Sequence, residues 1–92
     1  MKVRYNSAAL VDLDEIFAYI AADNHSAAAE LVGHIQHVVL LIGLNPQMGH
    51  RTKRPNLKKF PVEEHLIVYE ITPDEIIIQY VRHGARKQRR KE

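Results

Sequence analysis

The feature that most constrains this chain is a pair of apolar stripes at helical spacing, separated by only a few residues. The first stripe predicts an amphipathic helix over 8–22, with Ser7 as its N-cap. Its members are Leu10, Leu13, Ile16, Phe17 and Ile20. The second stripe predicts a longer helix over 25–44, with Asn24 as its N-cap. Because the break between the stripes is short, the two helices are expected to form an antiparallel hairpin.

Strand patterns flank this hairpin. Residues 2–5 alternate between polar and apolar side chains, which predicts a short strand with one buried face. The basic stretch 45–56 has no periodicity and is predicted to be a loop. Three further strands are then predicted, over 57–62, 65–71 and 76–82. Pro61 restricts the first of these to a sheet edge or a bulge, since proline cannot donate a ladder hydrogen bond.

The resulting β-α-α-β-β-β order predicts an α+β fold with an N-terminal strand, a two-helix antiparallel hairpin and a three-stranded antiparallel sheet. The hairpin must bury its stripes, and one face of the sheet is the only large apolar surface left for it. We expect the N-terminal strand to lie at a sheet edge beside the last strand. Simple alternation also places Tyr69 and Tyr80 on the same strand faces as isoleucines, so both tyrosines are expected in the core.

Length and composition limit the class of protein. A chain of 92 residues holds one domain, predicted over 1–86 and followed by a basic C-terminal tail over 87–92. The absence of cysteine excludes disulfides and cysteine zinc sites, and it favours a reducing cytoplasm. Uninterrupted apolar runs such as 38–42 are far shorter than the roughly 20 residues that span a bilayer. No association with a membrane is therefore expected.

The basic residues are concentrated in the second half of the chain. Eleven of the thirteen Lys and Arg side chains follow residue 50. Such a distribution suits an acidic protein or a polyanion as partner, although a solvated face would carry the same charges. The candidate residues for binding such a partner are Arg51, Arg54, Lys58, Lys59, Arg82 and Arg86.

The sequence contains no cofactor or metal motif. It lacks a P-loop, a dinucleotide-binding glycine fingerprint and a His-Glu-x-x-His pattern, so no cofactor is expected. His34 and His37 lie about one turn apart on the second predicted helix. Because no third ligand accompanies them, we interpret them as surface histidines and predict no metal site.

A further group of residues has the chemistry for RNA cleavage. That reaction needs a base for the 2′-hydroxyl, an acid for the leaving oxygen and cations for the charge of the phosphorane. His83 is the candidate for proton transfer, with Arg82 and Arg86 as the cations. Further acid and base groups are offered by Glu63, Glu64 and His65. These residue types at such spacings occur on many basic domains, so they make only weak catalytic candidates.

Several segments are typical of one family in their order and spacing. They are Val3–Tyr5, Ser7–Ile16, Tyr19–Asn24, Ala27–Ile35, Asn45–Gly49, Arg54–Val62, His65–Tyr69 and Val81–Arg86. Over about 2–86 the chain resembles the RelE/ParE toxin superfamily of type II toxin–antitoxin systems. RelE-like nucleases often carry Tyr or His at the C-terminal end of the sheet, whereas the last tyrosine here, Tyr80, lies inside a predicted strand. The resemblance therefore favours the ParE branch.

This resemblance implies a toxin that is neutralised by a cognate antitoxin with an acidic C-terminal segment. ParE-like toxins inhibit DNA gyrase by binding and are not enzymes, and the family is associated with plasmid stabilization and the bacterial stress response. Two alternatives stay open. One is a RelE-like endoribonuclease that cuts mRNA on the ribosome, and the other is a non-toxic protein-binding module with the same fold.

Overall fold

The computed structural model of the protein describes residues 1–84 and confirms the predicted α+β fold. The elements, in chain order, are β1 (Lys2–Tyr5), α1 (Ser7–Ala21), α2 (His25–Leu44), a 3-10 turn (Pro46–Met48), β2 (His50–Arg51), β3 (Leu57–Val62), β4 (His65–Ile71) and β5 (Glu75–His83). The predicted loop over 45–56 thus holds a 3-10 turn and one extra strand. Arg86 and the predicted tail over 87–92 lie outside the described residues.

The described strands form one sheet in the order β1-β5-β4-β3-β2. β1 is parallel to β5, which confirms the expected place of the first strand, and the other neighbours are antiparallel. The predicted three-stranded antiparallel sheet is therefore extended on both sides, by β1 and by β2. β2 pairs only with Lys58 and Lys59. At Pro61 β3 is consequently an edge strand, as the missing N–H of proline requires.

The N-cap of α1 differs from the prediction. Asn6, and not Ser7, caps the helix: its backbone is extended, and its side-chain oxygen accepts a hydrogen bond from the N–H of Ala9 at 2.9 Å. Ser7 is already the first helical residue. The predicted cap of α2 is confirmed, since the side chain of Asn24 accepts from the N–H of Ala27 at 3.0 Å.

The core lies between the helix hairpin and one face of the sheet. Its largest fully buried side chains are Tyr69, Ile35, Ile42, Ile67, Ile76, Ile78 and Val39. In α1 the innermost residues are Ala9 and Leu13, with Ile16 packed against the core as well. Leu10 was expected in this stripe but is 55% exposed, because the inward face of α1 is rotated towards Ala9.

The second helix, α2, is by length and composition able to cross a bilayer. Its inward face is nevertheless committed to the domain, where Ile35, Val38, Val39 and Ile42 are buried in the core. The outward face is less apolar near the start of the helix and carries exposed leucines, Leu40 and Leu44, near its end. Its apolar character is therefore explained by its place as the core helix of this α+β fold.

A β-bulge reverses the alternation near the end of β5. The register with β4 shifts between Val68 and Tyr69: Tyr69 pairs with Ile78, but Val68 pairs with Tyr80, so Gln79 is an extra residue on β5. Tyr69 is fully buried, as predicted. Tyr80 instead faces away from the helices, and Val81 takes the inward position. The expectation that Tyr80 packs in the core is therefore wrong.

Candidate functional surfaces

The pairing of β2, β3 and β4 places the predicted binding residues on two different faces. Side chains of directly paired residues share a face of the sheet. Lys58 pairs with Tyr69 and Arg51, so these three lie on the side that the helices cover. Lys59 pairs with Val68, which is absent from the core beneath the helices and lies on the opposite side. We call that side of the sheet, on which neither helix packs, the open face.

The open face carries a row of side chains across three strands. Lys59 of β3 pairs with Val68 of β4, and Val68 pairs with Tyr80 of β5. The guanidinium of Arg82 stacks on the ring of Tyr80, 4.0 Å from its centroid. This cation–π contact orients an exposed arginine without neutralising its charge. The open face thus presents a positioned cation that suits a carboxylate or a phosphate.

Beside this row lies a shallow depression of about 230 Å³. Arg54 contributes a third cation to its lining, next to Tyr80. The carboxylate of Glu70 accepts hydrogen bonds from the side-chain amides of Gln79, at 2.8 Å, and Asn56, at 3.0 Å. Glu70 is therefore held within a local network, while Arg54 is exposed.

His83 lies on the other side of the sheet from Arg82. The two residues are adjacent on β5, so their side chains point to opposite faces. His83 packs edge-to-face against His65, with ring centroids 5.1 Å apart, and its Nε2 lies 3.3 Å from a carboxylate oxygen of Glu64. The structure brings together three of the predicted acid and base groups and separates them from the predicted cation Arg82. Arg86, the third member of the predicted catalytic set, lies outside the described residues.

These histidines border a cleft of about 720 Å³ between α1 and the turn that joins β3 to β4. The lining residues are Asp12, Glu15, Ile16, Tyr19, Ile20, Leu31, Glu63, Glu64, His65, Val81 and His83. Asp12 also ties α1 to the sheet, because its carboxylate accepts the N–H of Val81 at 2.8 Å. We call this feature the acidic cleft, since the described residues that line it include four carboxylates and neither lysine nor arginine.

His34 and His37 lie on the surface of α2, as predicted. Both His34 and His37 are exposed, and the Nδ1 of His34 lies 3.0 Å from a carboxylate oxygen of Glu63. Within residues 1–84 no group of three His, Asp or Glu side chains is arranged to hold a metal ion. Sequence reasoning overlooked His50, whose pairing with Lys59 places it on the open face. The only sequence signal for it was its position in a basic stretch.

An ion pair fixes the edge of the sheet next to the open face. The Arg4 guanidinium lies 2.9 Å from one carboxylate oxygen of Glu75, the residue that follows the β4–β5 turn, and contacts both oxygens. The hydrogen bond from Arg4 holds the pKa of Glu75 below its usual value, and the pair raises the pKa of Arg4. This pair joins β1 to β5, although the two strands are 71 residues apart in the chain.

The comparison with protein-family models is decisive for classification. Residues 3–88 match the model of the ParE toxin of the type II toxin–antitoxin system parDE. The chain belongs to the ParE toxin family. The match includes nearly the whole domain and both candidate surfaces, so the ParE branch that the sequence favoured is confirmed.

Several solved structures have the same fold. The chromosomal ParDE system from P. aeruginosa superposes with a TM-score of 0.77 at 20% identity and covers 90% of this chain and 95% of that chain. The RelBE2 complex from Mycobacterium tuberculosis gives 0.67 at 16% identity, with 89% and 95% covered. The YoeB dimer from Staphylococcus aureus gives 0.63 at 14% identity, with 89% and 94% covered. A comparison with curated protein sequences found no significant match.

Proposed function

We propose that this ParE-family toxin inhibits DNA gyrase by binding to it and performs no chemistry of its own. One observation carries the proposal: Arg82 and His83 lie on opposite faces of the sheet. Phosphoryl transfer to or from RNA needs the cation and the proton-transfer group at the same reacting centre. Arg82 and His83, the two members of the proposed catalytic set that the structure describes, do not share such a centre.

Among residues 1–84, the open face offers no ready substitute for His83. His50 shares that face, but it belongs to β2, three strands away from Tyr80 in the order β5-β4-β3-β2. Strands are spaced about 4.8 Å apart, which puts roughly 14 Å between the backbones of these two residues. A cationic surface of this kind binds an acidic partner through Arg54, Lys59 and Arg82, and salt should weaken that binding.

The proposed second partner is a cognate antitoxin with an acidic C-terminal segment. The similar structures from P. aeruginosa and M. tuberculosis are toxin–antitoxin systems, which supports this assignment. An acidic segment finds its complementary charges at Lys58, Arg51 and the open face, and is repelled by the acidic cleft. With gyrase as target and a reducing environment suited to a cysteine-free chain, we place the protein in the cytoplasm.

The test compares two neighbouring substitutions in cells. Arg82→Ala removes the stacked cation and should reduce gyrase-dependent DNA breaks and toxicity, with target affinity falling about tenfold, or about 1.4 kcal/mol. His83→Ala should leave toxicity within about twofold, whereas loss of a general acid or base costs about 10²–10⁴ in rate. The unfolding midpoint of each variant is measured in parallel, to separate loss of function from loss of fold.

Two results would contradict the proposal. One is loss of toxicity in His83→Ala at unchanged stability, together with transcripts cut at defined codons, which would indicate a RelE-like ribonuclease. The other is normal growth of cells that produce the natural protein without its antitoxin. That result would indicate a non-toxic binding module. Co-expression with the neighbouring antitoxin gene should restore growth and allow both proteins to be purified together.

A further inference from the structure

The depression on the open face contains a carboxylate, although the face around it is cationic. Glu70 lines the depression together with Arg54. Each carboxylate oxygen of Glu70 accepts one amide hydrogen bond, at 2.8 Å from Gln79 and at 3.0 Å from Asn56. A carboxylate has about four lone-pair sites, so each oxygen can accept one more donor. The two amides therefore hold the carboxylate in place and leave it able to bind a ligand that carries hydrogen-bond donors.

The ring of Tyr80 separates this depression from Arg82. Gln79 and Tyr80 line the depression, whereas Arg82 follows them on β5 and stacks on the ring, 4.0 Å from its centroid. The register agrees, because Glu70 pairs with Ile77, on the far side of Tyr80 from Arg82. Arg82 thus covers one side of the ring, and the other side borders the depression. An aromatic wall next to fixed polar groups is typical of a site for a planar ring.

Size and charge restrict the ligand further. The volume of about 230 Å³ is below the roughly 300–1,000 Å³ of ordinary small-molecule sites, which suits one ring system rather than a whole nucleotide. Arg54 at the depression, with Lys59 and Arg82 on the same face, repels the positive charge of a lysine or arginine side chain. The ligand must therefore combine uncharged donors on a planar ring with negative charge beside it. A base in a nucleic-acid strand, flanked by phosphates, has this combination.

Among the bases, guanine matches the polar groups of the depression best. Its ring N–H and its amino group lie side by side on one edge, so they can donate to the two oxygens of a single carboxylate. Adenine and cytosine each place one amino group beside an acceptor nitrogen on that edge, and thymine has one N–H between two carbonyl oxygens. The O6 of guanine is in addition a preferred acceptor for arginine. Arg54 is the arginine that lines the depression.

We propose that this depression binds an unpaired guanine of single-stranded DNA. Glu70 accepts the two donors of the base, Tyr80 stacks on it, and Arg54 donates to its O6. Lys59 and Arg82 attract the neighbouring phosphates. The source of the strand rests on the proposed function, since gyrase holds DNA that it has cut. The site deepens that function, because it makes this DNA an acidic partner of the open face.

Binding of labelled oligonucleotides to the purified full chain tests the site without gyrase. A short strand of thymidines with one central deoxyguanosine should bind about tenfold tighter than the strand of thymidines alone, measured by fluorescence anisotropy. Deoxyinosine lacks only the amino group of guanine, so a strand that carries it should bind with intermediate affinity. Because only the DNA changes, this comparison does not depend on the folding of a variant.

Matched substitutions locate the guanine preference on the protein. Glu70→Gln replaces the acceptor by an amide, and its affinities for the two strands should lie within about twofold of each other. Glu30→Gln changes an exposed glutamate of α2 and should keep the preference of about tenfold. The unfolding midpoint of each variant is measured to show that it is folded.

Three results would overturn the proposal. The first is absent binding, or equal binding of the guanine and thymidine strands, by the natural protein. The second is a guanine preference that persists in folded Glu70→Gln. The third is binding of the same sequence as RNA more than about tenfold tighter than as DNA. Since these reactions contain no gyrase, none of the three would contradict the proposed function, which depends on gyrase inhibition and growth.

Discussion

At the scale of single residues, the hydroxyl of Tyr69 joins the segment after α2 to the centre of the sheet. It donates to the carbonyl oxygen of Pro46 at 2.7 Å and accepts from the N–H of Gly49 at 3.0 Å. A Cβ at Gly49 would lie only 2.5 Å from this hydroxyl, so glycine is required by space there. Burial raises the pKa of the Tyr69 hydroxyl above its ordinary value.

Removing that hydroxyl should destabilise the fold. Tyr69→Phe leaves a carbonyl and an amide without their partner in a closed site, which costs about 1–3 kcal/mol. Tyr80→Phe is the matched control on the open face and should change stability by less than about 0.5 kcal/mol. Urea unfolding of both variants measures the difference. An equal loss in the free energy of unfolding for the two variants would show that the hydrogen bonds of Tyr69 do not stabilise the fold by the expected amount.

A second residue-scale prediction concerns the Arg4–Glu75 pair and pH. Because the pKa of folded Glu75 is lowered, the pair contributes stability that is complete above the ordinary Glu pKa of about 4.3. That contribution is lost as pH falls through the lower folded-state value. Glu75→Gln should therefore be less stable than the unaltered protein at pH 7, and the gap should close below about pH 4. A gap that stays constant from pH 7 to 3 would contradict this.

At the scale of elements, the sequence predicts helices and strands that have a long regular pattern of apolar residues. It does not predict short or irregular elements. The bounds of α2 and β4 are as predicted, because each has a complete stripe or alternation. β2 has two residues, too few to show any period, and it exists only because β3 offers an edge. The bulge at Gln79 carries no glycine or proline signal, and it alone moves Tyr80 to the open face.

The same limits explain which parts of the candidate site the sequence could identify. Arg82 and His83 are neighbours in sequence, but a strand separates neighbours onto opposite faces. The last strand was predicted over 76–82, which left His83 beyond its end, so this separation was not predicted. The acidic cleft could not be predicted, because it combines side chains from α1 with a turn more than 40 positions later, such as Glu15 and Glu64. Only the packed hairpin brings them together.

The two helix caps provide a prediction at this scale. Asn6 caps α1 and also donates from its side-chain amide to Gln79 at 3.1 Å, so it links the helix to β5. Asn24 caps α2 in an exposed position. Asn6→Ala should cost about 2 kcal/mol and Asn24→Ala about 1 kcal/mol in urea unfolding. The reverse order would mean that the link to Gln79 contributes nothing.

At the scale of the whole molecule, the domain separates its charges. The open face carries exposed cations such as Arg54 and Arg82, and the acidic cleft lies on the helix side of the same sheet. One chain can therefore attract an acidic partner on one side and a basic partner on the other. This division gives the domain two surfaces of opposite charge.

The most direct test of the central claim uses purified protein, DNA gyrase and supercoiled DNA. We predict that the protein inhibits gyrase and causes broken DNA to accumulate with the enzyme bound, that Arg82→Ala weakens this effect about tenfold, and that His83→Ala does not. A parallel reaction with translating ribosomes should leave mRNA intact. Unaffected gyrase together with mRNA that is cut at defined codons would contradict the account.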